Sequence, residues 1–240
     1  MESMGVGRSE THLVGGEEQL TLCATFIVNV PEYVRLDSSA QIARRVRVGV
    51  GLYAAMLALA ALIAALRGSL HGPTLNRDAG VSLALGLGFA AIVCGVTELL
   101  LRKTAWLRRM RQEFRSFVGG ATSRDILILA FASSIAEESL FRGALQPWLG
   151  LWLTSFLFAA VHVVPTRALM AWSVWAGIVG LALGLIAQET NSLLGPLLAH
   201  GLINAINLRR IANFDAALDD VDHAVRVPAL VGRKRNRSQG

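Results

Sequence analysis

Three short patterns in the second half of this chain bring together residue types that can do chemistry. They are Glu137-Glu138-Ser139-Leu140-Phe141-Arg142, Phe158-Ala159-Ala160-Val161-His162 and His200-Gly201-Leu202-Ile203-Asn204. Residues four apart share a face of an α-helix, so Glu138 can pair with Arg142. Glu137, about 100° further round the helix, then projects elsewhere. A carboxylate taken out of water holds a proton more readily, which is the property wanted in a general base. In the same way Phe158 and His162 lie one turn apart on one face, as do His200 and Asn204. The N–H of a histidine and the NH₂ of an asparagine are donors, and two donors converging on one point can stabilise an oxyanion. Each pattern also has a plain structural reading: a Glu–Arg pair fastening two helices, a packed core histidine, and polar side chains hydrogen-bonding between helices.

The elements that must position these residues can be read from where charge is missing. The chain has 240 residues, 53% hydrophobic and 17% charged, with a net charge of +6. Soluble domains carry about 25% charged residues, so an ordinary soluble domain and a wholly disordered chain are both poor readings. Two cysteines cannot build a disulfide framework. Charge-free runs cover 48–66, 79–97, 143–166, 168–188 and 190–208. They hold 102 residues, so the 40 charges are concentrated in the remaining 138. A helix needs about 20 apolar residues to cross a hydrocarbon core of about 30 Å, and each run meets that length. A sixth stretch, 126–136, is apolar up to Glu137 and is long enough to cross if it continues to Gly143. It would carry Glu137, Glu138 and Arg142 into the membrane, where charges are expensive and face a protein interior.

The expected fold is therefore all-α: a polytopic membrane bundle of about six transmembrane helices. Basic residues precede the first span at Arg44, Arg45 and Arg47, fill the segment 102–124, and follow the last at Arg209 and Arg210. Positive segments stay cytoplasmic, which places both termini inside. The expected organisation is a cytoplasmic tail at 1–40, a helical domain at 41–211 with its motif-bearing core at 120–211, and a basic tail at 212–240. The first residues lack a basic stretch followed by an apolar one, so a cleaved signal peptide is not expected. Between the second and third spans, Trp106, Leu107, Met110, Phe114 and Phe117 recur among arginines. That spacing suits an amphipathic helix on an anionic inner surface. The cluster Arg233-Lys234-Arg235-Asn236-Arg237 is read as a lipid-attracted tail, with no nucleic-acid partner. Helical rise puts Glu137 about 18 Å, His162 about 9 Å, His200 about 20 Å and Asn204 about 14 Å from the inner edge. These depths allow all four to line one cavity.

The three motifs, in this order on successive spans, resemble the CAAX-protease and bacteriocin-processing family (also called Abi) of glutamic intramembrane endopeptidases. The resemblance covers about residues 120–211, with every motif position present. It implies that Glu137, helped by His162, deprotonates a water that attacks a peptide carbonyl. His200 and Asn204 would hold the oxyanion, Glu138 and Arg142 would orient the site, and Phe158 would pack beside it. No serine or cysteine is placed beside a base in these motifs, which argues against a nucleophilic triad; Glu with two His could also bind zinc, but His-Glu-x-x-His is absent, so no metal and no cofactor are expected. The partners so implied are the bilayer and a membrane-associated protein or peptide, lipidated or not, cut near its C-terminus or anchor. An Ala-, Leu- and Arg-rich chain poor in Lys suits a bacterial inner (plasma) membrane. Two other classes stay open on sequence alone. One is a catalytically silent membrane partner that binds a lipidated peptide or a regulator; the other is a small proton-coupled transporter using Glu137 and His162 as a relay.

Overall fold

The apolar runs form helices, and the residues between them set where each helix starts and turns. The computed structural model describes residues 39–68, 78–163 and 167–213, with the side chains of 167–171 excluded. The tails at 1–38 and 214–240, the second holding the basic cluster 233–237, and the segments 69–77 and 164–166 lie outside the described residues. The described chain is all helical: α1 Ser39–Leu66, α2 Ala79–Lys103, α3 Ala105–Val118, α4 Ser123–Glu138, a π-helical turn Ser139–Leu145, α5 Gln146–Val161, α6 Arg167–Thr190 and α7 Leu194–Ala212.

Four helical stretches among the described residues are long and apolar enough to cross a bilayer: Ser39–Leu66, Ala79–Lys103, Ser123–Val161 and Trp172–Thr190. Their outer faces carry large apolar side chains that water would not tolerate in such number. Leu62, Ile92, Trp152 and Phe156 are each more than half exposed, as expected where lipid is the solvent. The molecule is an all-α polytopic membrane bundle.

The third stretch is not one straight helix. Over 17 residues an α-helix rises about 25 Å, yet the rings of Phe141 and Phe158 lie 5.0 Å apart. The chain reverses at Gly150, whose φ of 77° and ψ of 170° fall in a region open only to glycine. The charge-free run 143–166 and the extension of the preceding stretch to Gly143 divide these two passes at Gly143. The structure moves the turn to Gly150, because the π-helical turn carries the ascending helix on past Gly143. The descending helix is correspondingly short, and its C-terminal end at His162 comes level with Glu137. The depths reckoned from helical rise allowed the two residues to line one cavity, and their side chains meet at 3.7 Å. Six helical passes result among the described residues, but α7 is too polar to count among the apolar stretches, since it carries His200, Asn204, Asn207, Arg209 and Arg210.

Protein surrounds α7. It packs against α2, α4, α6 and α3, while α1 packs on α4 and the π turn, and α5 on α6. Small residues let α2 and α7 come close, as membrane helices do when no water drives them together. The amide of Gly195 donates to Ser82 Oγ at 3.0 Å, and Thr190 Oγ1 lies 3.0 Å from the same hydroxyl. A Cβ on Gly195 would overlap the Ser82 carbonyl, and one on Gly86 would overlap the Gly195 backbone.

Two features fix the entrance to α4. Thr122 Oγ1 accepts from the Asp125 amide at 3.2 Å, and Asp125 Oδ2 accepts from the Thr122 amide at 2.9 Å, a reciprocal cap. Before it, α3 forms the expected amphipathic helix. Its Leu107 and Met110 are buried, with Trp106, Phe114 and Trp172 packed against them. Arg45 of α1 donates to the Ser116 carbonyl at 2.7 Å, tying down the end of α3.

Gly195→Ala should separate α2 from α7 and cost about 1–3 kcal/mol of stability, the usual scale for overpacking. Thermal unfolding of the detergent-purified chain would measure this, and an unchanged midpoint would refute the close approach as a constraint.

Candidate active site

An ionised side chain inside a membrane bundle needs partners for both its charge and its lone pairs, and the site is built outward from one such group. Glu138 is fully buried. Its Oε1 accepts from Arg142 Nη1 at 3.3 Å and lies 2.7 Å from His200 Nδ1. The i,i+4 pairing expected from sequence therefore forms. Arg142 is equally enclosed: its Nη2 donates to the Gly180 carbonyl of α6 at 2.7 Å. Its guanidinium carbon stands 4.3 Å from the centroid of the Phe158 ring, a cation–π contact.

Phe158 occupies the middle of the site. Its ring lies 4.5 Å from that of His162, 5.0 Å from Phe141 and 6.2 Å from His200. The position expected to pack beside the polar residues thus touches both histidines and the arginine.

Glu137 points the other way from Glu138, as two neighbours on one helix must. Its Oε2 is 3.7 Å from His162 Nε2 and 3.9 Å from His200 Nε2. Both separations exceed a direct hydrogen bond and are within reach of a bridging water. Among the described residues this buried oxygen has no hydrogen-bond partner.

The opposite ring nitrogens define the tautomers. His162 Nδ1 is 2.7 Å from the Phe158 carbonyl. A carbonyl only accepts, so Nδ1 carries the proton and the neutral ring turns an acceptor, Nε2, toward Glu137. His200 Nδ1 likewise donates to Glu138. Its Nε2 can donate into the site only when the ring is an imidazolium, with N–H at both positions.

Asn204 lies one turn along α7 from His200. Its Nδ2 donates to Ser133 Oγ on α4 at 3.0 Å rather than converging directly with His200. Of the seven residues singled out in the sequence, six form one contiguous cluster around Phe158 and Glu137, and Asn204 flanks it through Ser133. Two further polar residues of the helices have partners outside this cluster: Glu98 pairs with Arg102 at 2.8 Å, and Asn207 Oδ1 accepts from Arg210 at 3.5 Å.

Three supporting residues were not anticipated. Ser133 stands one turn before Glu137, so the helical spacing used for the motifs would have found it. Ser173 Oγ donates to the His162 carbonyl at 2.8 Å, and the Trp172 ring lies 6.2 Å from the imidazole. Trp172 also meets Phe114 of α3 edge-on at 5.3 Å. His162 caps the end of α5, so this Trp172–Ser173 pair anchors its backbone from α6. Nothing in the sequence marks that contact, which depends on how α5 meets α6. Among the described residues, no group of three or more His, Cys, Asp or Glu is arranged to hold a metal ion.

Comparison with known proteins bears on the same segment. Residues 120–206 match the family described as type II CAAX prenyl endopeptidase Rce1-like. The match contains all three motifs, and the resemblance drawn from them is borne out. The chain is also similar to a protein of Bacillus subtilis (strain 168) named "Uncharacterized protein YpbD", with 39% identity over 83 residues. Those residues are 34% of this chain and 42% of that protein, so this chain spans less than half of its relative. No solved structure matches.

Removing one partner of a buried ion pair leaves the other charge stranded, at a typical cost of about 3–5 kcal/mol. Glu138→Ala should therefore destabilise the detergent-purified chain on that scale, and adding Arg142→Leu should recover part of the loss. Equal unfolding midpoints for the two variants would contradict this pairing.

Proposed function

We propose that this chain, with its Rce1-like segment at residues 120–206, is an intramembrane endopeptidase that hydrolyses a peptide bond with a water activated by Glu137 and His162. The observation that carries the reading is the approach of two imidazole Nε2 atoms to one carboxylate oxygen, at 3.7 and 3.9 Å, inside an apolar bundle. In the proposed reaction a water bridges Glu137 Oε2 and His162 Nε2. Glu137 takes its proton while the oxygen attacks the scissile carbonyl, as a positioned general base does. The oxyanion is held by His200 Nε2–H, in the imidazolium form, and by the Asn204 amide. The proton taken by Glu137 then passes to the departing amine, leaving a new carboxylate and a free N-terminus. Glu138 and Arg142 keep His200 oriented, and Phe158 fixes both imidazoles by packing.

The substrate in this reading is a membrane-associated protein or peptide cut near its C-terminus or anchor, with a prenylated protein as the class the family match favours. The membrane is a bacterial plasma membrane, with α3 and both termini on the cytoplasmic side. A catalytically silent partner would use the same cavity without needing the proton-accepting oxygen of Glu137.

The test compares C-terminal peptides from cells carrying the wild-type chain with those from cells carrying Glu137→Gln or His162→Ala. Loss of a general base lowers rates by about 10²–10⁴, so substrate termini should lengthen in both variants while the protein still accumulates in the membrane. Unchanged termini in both variants would sink the protease and leave the silent partner.

A further inference from the structure

Ser133 is buried on α4, one helical turn before Glu137 and on the same face. Its hydroxyl donates to the Ala130 carbonyl at 3.0 Å. A hydroxyl has one proton, so with that proton committed Ser133 can offer Asn204 only a lone pair. A carboxamide has two nearly isosteric orientations, with nitrogen or with oxygen toward a given neighbour. Opposite an acceptor only the nitrogen is favourable, and Asn204 Nδ2 is 3.0 Å from Ser133 Oγ. One of the two amide hydrogens is used there; the other remains for a developing oxyanion. Were the carboxamide reversed, its oxygen would meet the Ser133 lone pair and the donor would be lost from the site.

We propose that Ser133 is a positioning residue that selects the donor orientation of the Asn204 carboxamide for oxyanion binding. The inference rests on the peptidase reading of the site and adds to it the residue that makes Asn204 a donor. The neighbouring Ser134 provides an internal comparison. Its hydroxyl donates to the Leu197 carbonyl at 2.7 Å, so it also ties α4 to α7 but touches no proposed catalytic group. Loss of a merely structural interhelical bond is what Ser134→Ala reports.

The experiment uses the full chain purified in detergent, with a farnesylated peptide ending in Cys-Val-Ile-Met as probe and Glu137→Gln as the inactive reference. Ser133→Ala should lower kcat about tenfold with KM unchanged, the scale of one hydrogen bond lost from the transition state. Ser133→Thr, which keeps the hydroxyl, should restore kcat, and Ser134→Ala should lower the unfolding midpoint while leaving kcat alone. In parallel, thermal unfolding of Ser133→Ala, Asn204→Ala and the double variant should be non-additive, since either substitution breaks the same bond. Additive effects on stability, an unchanged kcat in Ser133→Ala, or an equal kcat loss in Ser134→Ala would each overturn the proposal. If Glu137→Gln cleaves as fast as the wild type, or neither cleaves, the peptidase reading itself fails. A positioning role for Ser133 then falls with it, and the unfolding cycle still shows whether the Ser133–Asn204 bond exists.

Discussion

The site depends on the burial of one carboxylate. Glu138 has no exposed surface, and a charge at that depth costs several kcal/mol unless its neighbours compensate. The compensation comes from three helices. Arg142 lies on the same ascending helix, the Gly180 carbonyl that takes its second nitrogen lies on α6, and His200 lies on α7. Satisfying one charge therefore fixes how α4, α6 and α7 meet. The adjacent residue inherits the consequence: with Glu138 turned into this cluster, Glu137 is carried round to the side where both Nε2 atoms stand. Two adjacent acids thus acquire different environments from a single helix register: Glu138 has one oxygen held by both Arg142 and His200, and Glu137 faces two ring nitrogens beyond direct bonding distance.

Backbone irregularity is concentrated where that arrangement requires it. The π-helical turn at Ser139–Leu145 contains Phe141 and Arg142, and such turns are common at functional sites because they change which residues face inward. The carbonyls they displace need donors. Arg67 of α1 supplies one to Ala144 at 3.0 Å, and across the same region the Gln146 amide donates to the Gly184 carbonyl at 2.9 Å. Gly150 then returns the chain so that Phe158 reaches Phe141. Without that reversal the second motif would lie far along a single straight helix from the first, and the Phe158 ring could not fill the space between the guanidinium and the imidazoles.

Much of this was legible in the sequence because it depends on helical periodicity and on the cost of charge in an apolar run. The five charge-free runs gave the helices. The spacing from Glu138 to Arg142 gave the ion pair, and that from Phe158 to His162 gave one face of α5. What was not legible depends on tertiary geometry. The glycine at the turn could not be told from Gly143, the other glycine of the run 143–166, because its φ of 77° follows from the packing on either side. The π turn leaves no periodic trace in seven residues. The contact of Trp172 and Ser173 with His162 joins residues from different helices with no shared spacing. Ser133 is an intermediate case: its position one turn from Glu137 was visible, but its function as an acceptor depends on Ala130 taking its proton.

The two histidines are held in ways that suit different work. His200 sits within the body of α7, its side chain 9% exposed, with Nδ1 fixed on a buried carboxylate. A ring so placed can bear positive charge beside Glu138 and present a donor whose direction the helix sets. His162 sits at the end of α5, its side chain 21% exposed, with Nδ1 on a neutral carbonyl and its backbone anchored from α6 by Ser173. With Nδ1 donating to that carbonyl, the neutral ring turns the lone pair of Nε2 toward Glu137. The difference between the two rings thus follows from what each Nδ1 touches, a carboxylate for His200 and a carbonyl for His162, and Glu137 stands between their Nε2 atoms.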